Sequence, residues 1–226
     1  NFARDPIGSG PMKILHWANN ENLKLQRLSD GKIIEMITLK DPVVRVLKLL
    51  KGDIDLIQGN LPPEVIDWLS RKQLVNVEKK IGNTFTYLGF NLEDPITKNL
   101  LVRKAIAHAI DRESIIKYVM KSSARKAGSL LPPEHWAGHS ALTGIEYNPE
   151  KSKMLLKQAG YGDPSSLKLV YKISNDPFRL RLATIIQQQL KSVGIKVEIR
   201  SYDWGTFYGD IKNGRFQMYS LSWVGL

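Results

Sequence analysis

The chain has 226 residues, 42% of them hydrophobic and 24% charged, with a formal net charge of +11 and no cysteine. The absence of cysteine excludes disulfides, thiolate nucleophiles and Cys-based metal sites, and no apolar run approaches the ~18 residues that span a bilayer. The length allows one good core or two modest ones.

Residues 12–39 read as β structure: Met12–Trp17, then Leu23–Leu28, a turn at Ser29-Asp30-Gly31, then Ile33–Leu39. Asp41-Pro42 is an N-cap with proline at the first helical position, and Gly52 is the stop. Asp53–Ile57 reads as a strand, Leu61-Pro62-Pro63 opens a short helix to about Arg71, and Leu74–Lys80 reads as a returning strand. A boundary is placed near Gly82, and Asn83–Leu92 alternates as a strand. Two helical pieces follow between Asn99 and Met120, the second capped by Asp111. Residues 122–147 carry Gly128, Pro132, Pro133, Gly138 and Gly144 and read as a long loop, a length usually associated with function or disorder. Asn148-Pro149 opens a helix that Gly160 ends. The remainder reads as strand Leu167–Ile173, helix Asp176-Pro177 to Gly194, strand Ile195–Ser201, helix Trp204–Lys212 and strand Phe216–Trp223. That last strand ends in Trp-Val-Gly-Leu with nothing after it, which suggests part of a longer, cleft-forming protein.

Strands alternating with capped helices predict a partly parallel sheet covered on both faces. Such sheets bind ligands beyond their strand carboxyl ends. That rule points to Asn91, Ser174–Asp176, Tyr202-Asp203 and Trp223.

Catalytic and metal signatures are weak. His135 and His139 have a helical metal spacing, but Trp136 stands where a zinc protease needs glutamate, and nearby prolines and glycine oppose a helix. His108 lies between alanines on a helix and reads as a satisfied or half-exposed histidine. No Gly-x-Ser-x-Gly elbow occurs. Gly8-Ser9-Gly10-Pro11 lacks the Gly-Lys-Ser/Thr ending of a phosphate loop, and no carboxylate pair stands out as acid and base. A hydrolase is therefore not signalled. The basic residues are spread, the nearest clusters being Lys121/Arg125/Lys126 and Lys151/Lys153. This favours general solvation and an anionic partner surface over the rival reading, a basic nucleic-acid-binding domain. Trp136, Trp204 and Trp223 are candidates to line an apolar cleft, Trp223 foremost.

The order of motifs adds a resemblance. Pro6-Ile7-Gly8-Ser9-Gly10-Pro11, Leu50-Lys51-Gly52-Asp53-Ile54-Asp55 and Val102-Arg103-Lys104-Ala105-Ile106 through Ala109-Ile110-Asp111-Arg112 appear in turn. Tyr147-Asn148-Pro149-Glu150-Lys151 through Ala159-Gly160-Tyr161, then Ile186-Gln187 through Gly194-Ile195, follow. Together they resemble bacterial extracellular solute-binding proteins of family 5, the oligopeptide/dipeptide/nickel class. The resemblance implies an α/β, periplasmic-binding-protein-like (type II) two-lobe architecture, here incomplete, with mixed sheets flanked by helices. Residues 1–82 would be part of the hinge-side lobe and 83–226 most of the second, ligand-binding lobe. It further implies a non-enzymatic, monomeric receptor, periplasmic or lipid-anchored, that passes a peptide or peptide-like solute to an ABC permease in the inner membrane. No cofactor, metal or nucleic acid is implied. Trp223, Ser222, Asn91 and Trp136 are the expected ligand contacts. One departure concerns the solute: the family's Trp-x-[AG]-Asp pairs its aspartate with a ligand ammonium, whereas Leu226 stands at that place here. A leucine cannot offset a buried cation.

Overall fold

The computed structural model describes residues 6–17, 22–59, 61–80, 82, 84–162 and 167–224. The start of the expected Asn83 strand and the Leu226 position lie outside the described residues. The chain divides into two compact units: Asn1–Pro62 with Gln73–Val75, and Pro63–Lys72 with Asn76–Leu226. No helix among the described residues is long and apolar enough to cross a membrane.

The first unit is a three-stranded antiparallel sheet, β1 (Met12–Trp17), β2 (Asn22–Arg27) and β3 (Ile33–Ile37), with helix α1 (Pro42–Lys51). The β2–β3 turn closes because Gly31 takes φ 72° and Arg27 Nε donates to Asp30 at 2.8 Å. Asp41 caps α1 by accepting from the amides of Val43 (2.7 Å) and Val44 (3.0 Å). Gly52 ends it in the left-handed region at φ 84°. The strands expected at Asp53–Ile57 and Leu74–Lys80 do not form. A strand exists only through a paired neighbour. Asp53 instead completes the helix end, its amide donating to Lys48 O at 2.9 Å and its carboxylate lying 3.6 Å from both Lys48 and Lys51.

The second unit carries helix α2 (Pro63–Lys72), strand β4 (Phe85–Phe90), helix α3 (Leu100–Ala109) and a short turn α4 (Arg112–Ser114). Helix α5 (Pro149–Gln158), strand β5 (Lys168–Ser174), helix α6 (Pro177–Ser192), strand β6 (Lys196–Tyr202), helix α7 (Trp204–Lys212) and strand β7 (Met218–Trp223) follow. The expected single helix over Arg112–Met120 is corrected: after α4 the chain widens into a π-helix at Ile115–Val119, closed by Met120 N donating to Ile115 O at 3.1 Å. The sheet order is β4-β7-β5-β6, with β5 parallel to both β6 and β7, and β4 antiparallel to β7.

Alternation along β5 sets the layers. Leu169, Tyr171 and Ile173 join the core built by α3, α5 and α6, where Ile106, Leu156 and Leu190 are fully buried. Lys172 points to the other face, where its Nζ meets Asp210 of α7 at 2.6 Å and lies 5.4 Å from the Tyr202 ring centre. The two charged side chains are only 11% and 18% exposed, so each depends on the other for solvation. At the opposite end of the sheet Asp94 joins three elements. It accepts from the amides of Ile96 (2.9 Å) and Thr97 (3.0 Å) and from Gln217 Nε2 (3.0 Å), while Gln217 Oε1 accepts from Val170 N at 2.8 Å. Burial pushes the Asp94 carboxyl upward, but these donors outweigh it and hold it below its ordinary value.

The ion pair generates a stability prediction. Lys172→Ala should destabilise the fold by about 3 kcal/mol, because Asp210 is left charged and half-enclosed, whereas the double replacement Lys172→Met with Asp210→Leu should recover most of the loss. Urea denaturation of the three proteins checks this, and equal losses in single and double variants would contradict it.

Candidate functional site

The three parallel strands end together. Ser174 of β5 is opposite Tyr202 of β6, and Trp223 of β7 is opposite Phe85, the first residue of β4. Two helices start immediately beyond this margin. Asp176 caps α6 through Arg179 N at 2.9 Å, and Asp203 caps α7 through Thr206 N at 3.1 Å.

Asn91 is not at this margin. Because β4 runs antiparallel to β7, its carboxyl end lies beside Met218, at the other end of the strands. The Asn91 amide donates to Gly214 O at 3.1 Å and Phe216 O at 3.0 Å, and its oxygen accepts from Glu93 N at 3.0 Å. The strand-end rule placed it with Trp223 only by assuming that β4 was parallel; its side chain closes the turn at the far end instead.

Ser222 and Trp223 share the margin but point to opposite faces, as successive strand residues must. On the α6 side stand Ser222, Ser220 and Thr86. Thr86 and Ser222 pair across the strands with their hydroxyls 2.9 Å apart, and Arg179 donates to Ser222 Oγ at 3.3 Å. Tyr171 is fully buried on the same side, and its hydroxyl has no hydrogen-bond partner. Burial pushes that phenol up to about 12, with the neighbouring Ser220 hydroxyl and the Arg179 charge pulling the other way. Ser220 is close enough to moderate the shift without reaching hydrogen-bond geometry.

The opposite face of β4 and β7 is aromatic. Phe85 and Tyr87 rings are 5.6 Å apart, Tyr87 and Tyr219 meet edge-on at 6.1 Å, and Phe216 meets Tyr219 edge-on at 4.8 Å. Trp223 ends this row, 52% exposed. The row needs Gly89, since a Cβ there would lie 2.3 Å from the Tyr219 ring. Trp204, at the start of α7, stacks on Tyr208 at 5.4 Å and is also exposed.

Trp136 lies in the long loop, 92% exposed, its ring against His135 at 5.6 Å. The loop has no helix or strand among its described residues and is held by specific ties. His108 Nδ1 donates to Glu146 O at 2.9 Å, so that histidine is buried and engaged. His135 Nδ1 accepts from Ala137 N at 3.1 Å. Arg125 and Glu134 form a two-pronged pair at 2.5 and 2.6 Å. The structure thus brings Ser222 and Trp223 to one margin, sends Asn91 to the other, and places Trp136 on a separate loop. Sequence reasoning missed Arg179, Thr86 and Tyr171. Their proximity depends on pairing strands that lie 136 positions apart at Thr86 and Ser222.

Comparison with known proteins decides the family. The profile described as "Bacterial extracellular solute-binding proteins, family 5 Middle" matches residues 1–226. The chain belongs to this family.

Among family-5 relatives, the dipeptide-binding protein of Escherichia coli (strain K12) is 26% identical over 98% of the chain and 43% of its own length. The heme-binding protein A of Haemophilus influenzae is 28% identical over 97% of the chain and 42% of its own length. A solved periplasmic binding protein, DppA from Helicobacter pylori in complex with the peptide STSA, superposes with a TM-score of 0.81 at 28% identity, covering 98% of this chain and 44% of that one. The fold is therefore the α/β periplasmic-binding-protein-like class expected of family 5. The chain spans less than half the length of these relatives.

Two measurements check this geometry. Gly89→Ala should destabilise the protein by roughly 1–3 kcal/mol by displacing the Tyr219 ring; denaturation with an unchanged midpoint would contradict the close approach. The Arg125 fork holds the Glu134 carboxyl at about 2, below its ordinary value of 4.5. Its contribution to loop order is thus fully present above the ordinary carboxyl range and lost only as pH falls through about 2. A carboxyl-detected NMR titration should show that low midpoint for Glu134, and a midpoint near 4.5 would contradict the pairing.

Proposed function

We propose that the full-length protein is the substrate-binding component of an ABC importer. It captures a peptide or peptide-like solute outside the cytoplasmic membrane, in the periplasm or while lipid-anchored, and delivers it to an inner-membrane permease. It acts as a monomer and performs no chemistry on its cargo. Residues 1–82 contribute to the hinge-side lobe and 83–226 form most of the second, ligand-binding lobe.

The observation that carries this reading is family membership over the whole chain, joined to a margin built for contact rather than catalysis. Its relatives include a dipeptide-binding protein and a binding protein solved in complex with a peptide, which favours peptides as cargo. The margin offers Trp223 as an apolar surface and Ser222 as a hydrogen-bonding group on the reverse face. Trp136, exposed on a loop tied down at both ends, is a third contact when the solute is enclosed. Asn91 is committed to the far turn and is not proposed as a contact. The net charge of +11 arises from basic residues scattered along the chain, which suits solvation and an anionic membrane surface better than a nucleic-acid groove.

A thermal-shift screen of the full-length protein against di- to nonapeptides tests this reading. A true ligand at about a hundred times its Kd adds about 2.7 kcal/mol to native-state stability. That should raise Tm by several degrees, and Trp223→Ala should diminish the shift at the same ligand concentration. A flat response to every peptide would overturn peptide capture.

A further inference from the structure

The side of the four-stranded sheet covered by α7 holds cations that no acid offsets. Trp204, Tyr208 and Lys212 stand one helical turn apart on α7 and all three are exposed, while Phe207 is fully buried on the inner side of the helix. The Trp204 and Tyr208 rings lie 5.4 Å apart at 9°, and Lys212 Nζ stands 5.9 Å from the centre of the Tyr208 ring, so the three form one continuous stripe. Arg215, in the turn after α7, is exposed, as are Lys168 and Lys196 at the starts of β5 and β6. Those two lysines are directly opposite in the parallel register, and strand alternation points both to the same side as Lys172. Like charges facing each other across a strand pair destabilise it, so the pairing of the strands does not account for them. The acids on this side are already engaged: Asp210 with Lys172 at 2.6 Å, Glu198 with Arg200 at 2.7 Å, and Asp203 with the amide of Thr206 at 3.1 Å. Among the described residues, Lys168, Lys196, Lys212 and Arg215 have no carboxylate within ion-pair distance.

We infer that this side of the second unit rests on an anionic lipid bilayer, with Lys168, Lys196, Lys212 and Arg215 over phosphate headgroups and Trp204 and Tyr208 in the interfacial layer. Charge complementarity selects the partner: each Lys or Arg held near an anionic membrane strengthens binding by about fivefold, and here they act together. Tryptophan and tyrosine favour the same layer because each joins an apolar ring to a polar tip. The long stem of Lys212 lies along Tyr208 while its ammonium reaches the headgroups. A nucleic-acid partner fits less well, since Trp204 and Tyr208 stack on each other and spend on that contact a ring face that a base would need. Gly209 has nothing within 4 Å of where a Cβ would stand; it weakens the helix for no packing gain and leaves its surface low enough for a flat layer to approach. The solute margin stays clear. Helix α7 begins beside that margin at Asp203 and runs away from it, so a unit lying on α7 has its strand ends at the rim of the contact and not beneath it. The inference goes beyond solute capture and does not depend on the cargo.

Vesicle co-sedimentation tests it. The full-length polypeptide, without any acyl chain, is spun down with vesicles of phosphatidylcholine alone or of phosphatidylcholine mixed with phosphatidylglycerol. Binding to the mixed vesicles should exceed binding to the neutral ones by about tenfold or more and fall steeply with added salt. Lys212→Glu with Arg215→Glu should weaken it by about tenfold or more. Lys104→Glu with Lys157→Glu makes the same change in net charge at exposed positions of α3 and α5, across the sheet. That pair should cost less than about threefold, because its charges are screened from the bilayer by distance. Brominated phosphatidylcholine in the mixed vesicles should quench tryptophan emission, and Trp204→Phe should remove a large part of that quenching. No gain from phosphatidylglycerol, as expected were α7 covered by the rest of the full-length chain, would overturn the inference, and that comparison needs no variant. So would equal losses from the two charge reversals, which would reduce the effect to overall net charge, or quenching that survives Trp204→Phe undiminished.

Discussion

Because β7 is hydrogen-bonded on both sides, antiparallel to β4 and parallel to β5, everything at the strand-end margin depends on this one strand. It carries Ser222 to the α6 face and Trp223 to the aromatic face. It also brings Thr86, from a strand much earlier in the chain, against Ser222. The lower end of the same strand is anchored by the Asp94–Gln217–Val170 chain of hydrogen bonds, which fixes β4, β5 and β7 relative to one another before the upper margin is reached. A central strand with partners on both edges has no freedom to slip, since a one-residue shift would exchange its polar and aromatic faces.

That arrangement separates two tasks by face. Hydroxyls and a guanidinium gather where α6 packs over the sheet, and rings gather where Gly89 leaves room for Tyr219. Neither face presents a nucleophile hydrogen-bonded to a base among the described residues. The Arg179–Ser222 contact and the Lys172–Asp210 pair under α7 are built into the fold itself. The long loop follows the same logic on a smaller scale. It lacks regular structure yet is pinned by His108 and by the Arg125–Glu134 fork, which leaves Trp136 projecting from a defined base.

Much of the fold was legible in the sequence because local signals agreed with one another. Asp41-Pro42 with Gly52, Asn148-Pro149, Asp176-Pro177 and Trp204–Lys212 mark helix limits that the structure reproduces to within a residue or two. Errors arose where the deciding partner is distant. Asp53–Ile57 and Leu74–Lys80 have strand-like composition but pair with no strand among the described residues. The π-turn at Ile115–Val119 depends on a hydrogen-bond shift that apolar periodicity does not reveal. Of the candidate contacts, Trp223 came from the strand-end rule and stands at the margin next to Ser222, while Asn91 stands at the other end because alternation does not encode strand direction. Arg179 reads in sequence as one more basic residue on an amphipathic helix. Only the closure of β4 onto β7 gives it hydroxyl neighbours and sets it apart.

The account stands on the claim that the solute meets the sheet where β5, β6 and β7 end. Hydrogen–deuterium exchange of the full-length protein, with and without a saturating peptide, tests this most directly. Slowing should concentrate in residues 174–180, 202–206 and 220–224, with the turn at 91–97 unchanged. Slowing confined to residues 91–97 and 214–217 would put the solute at the opposite end of the strands and contradict the account.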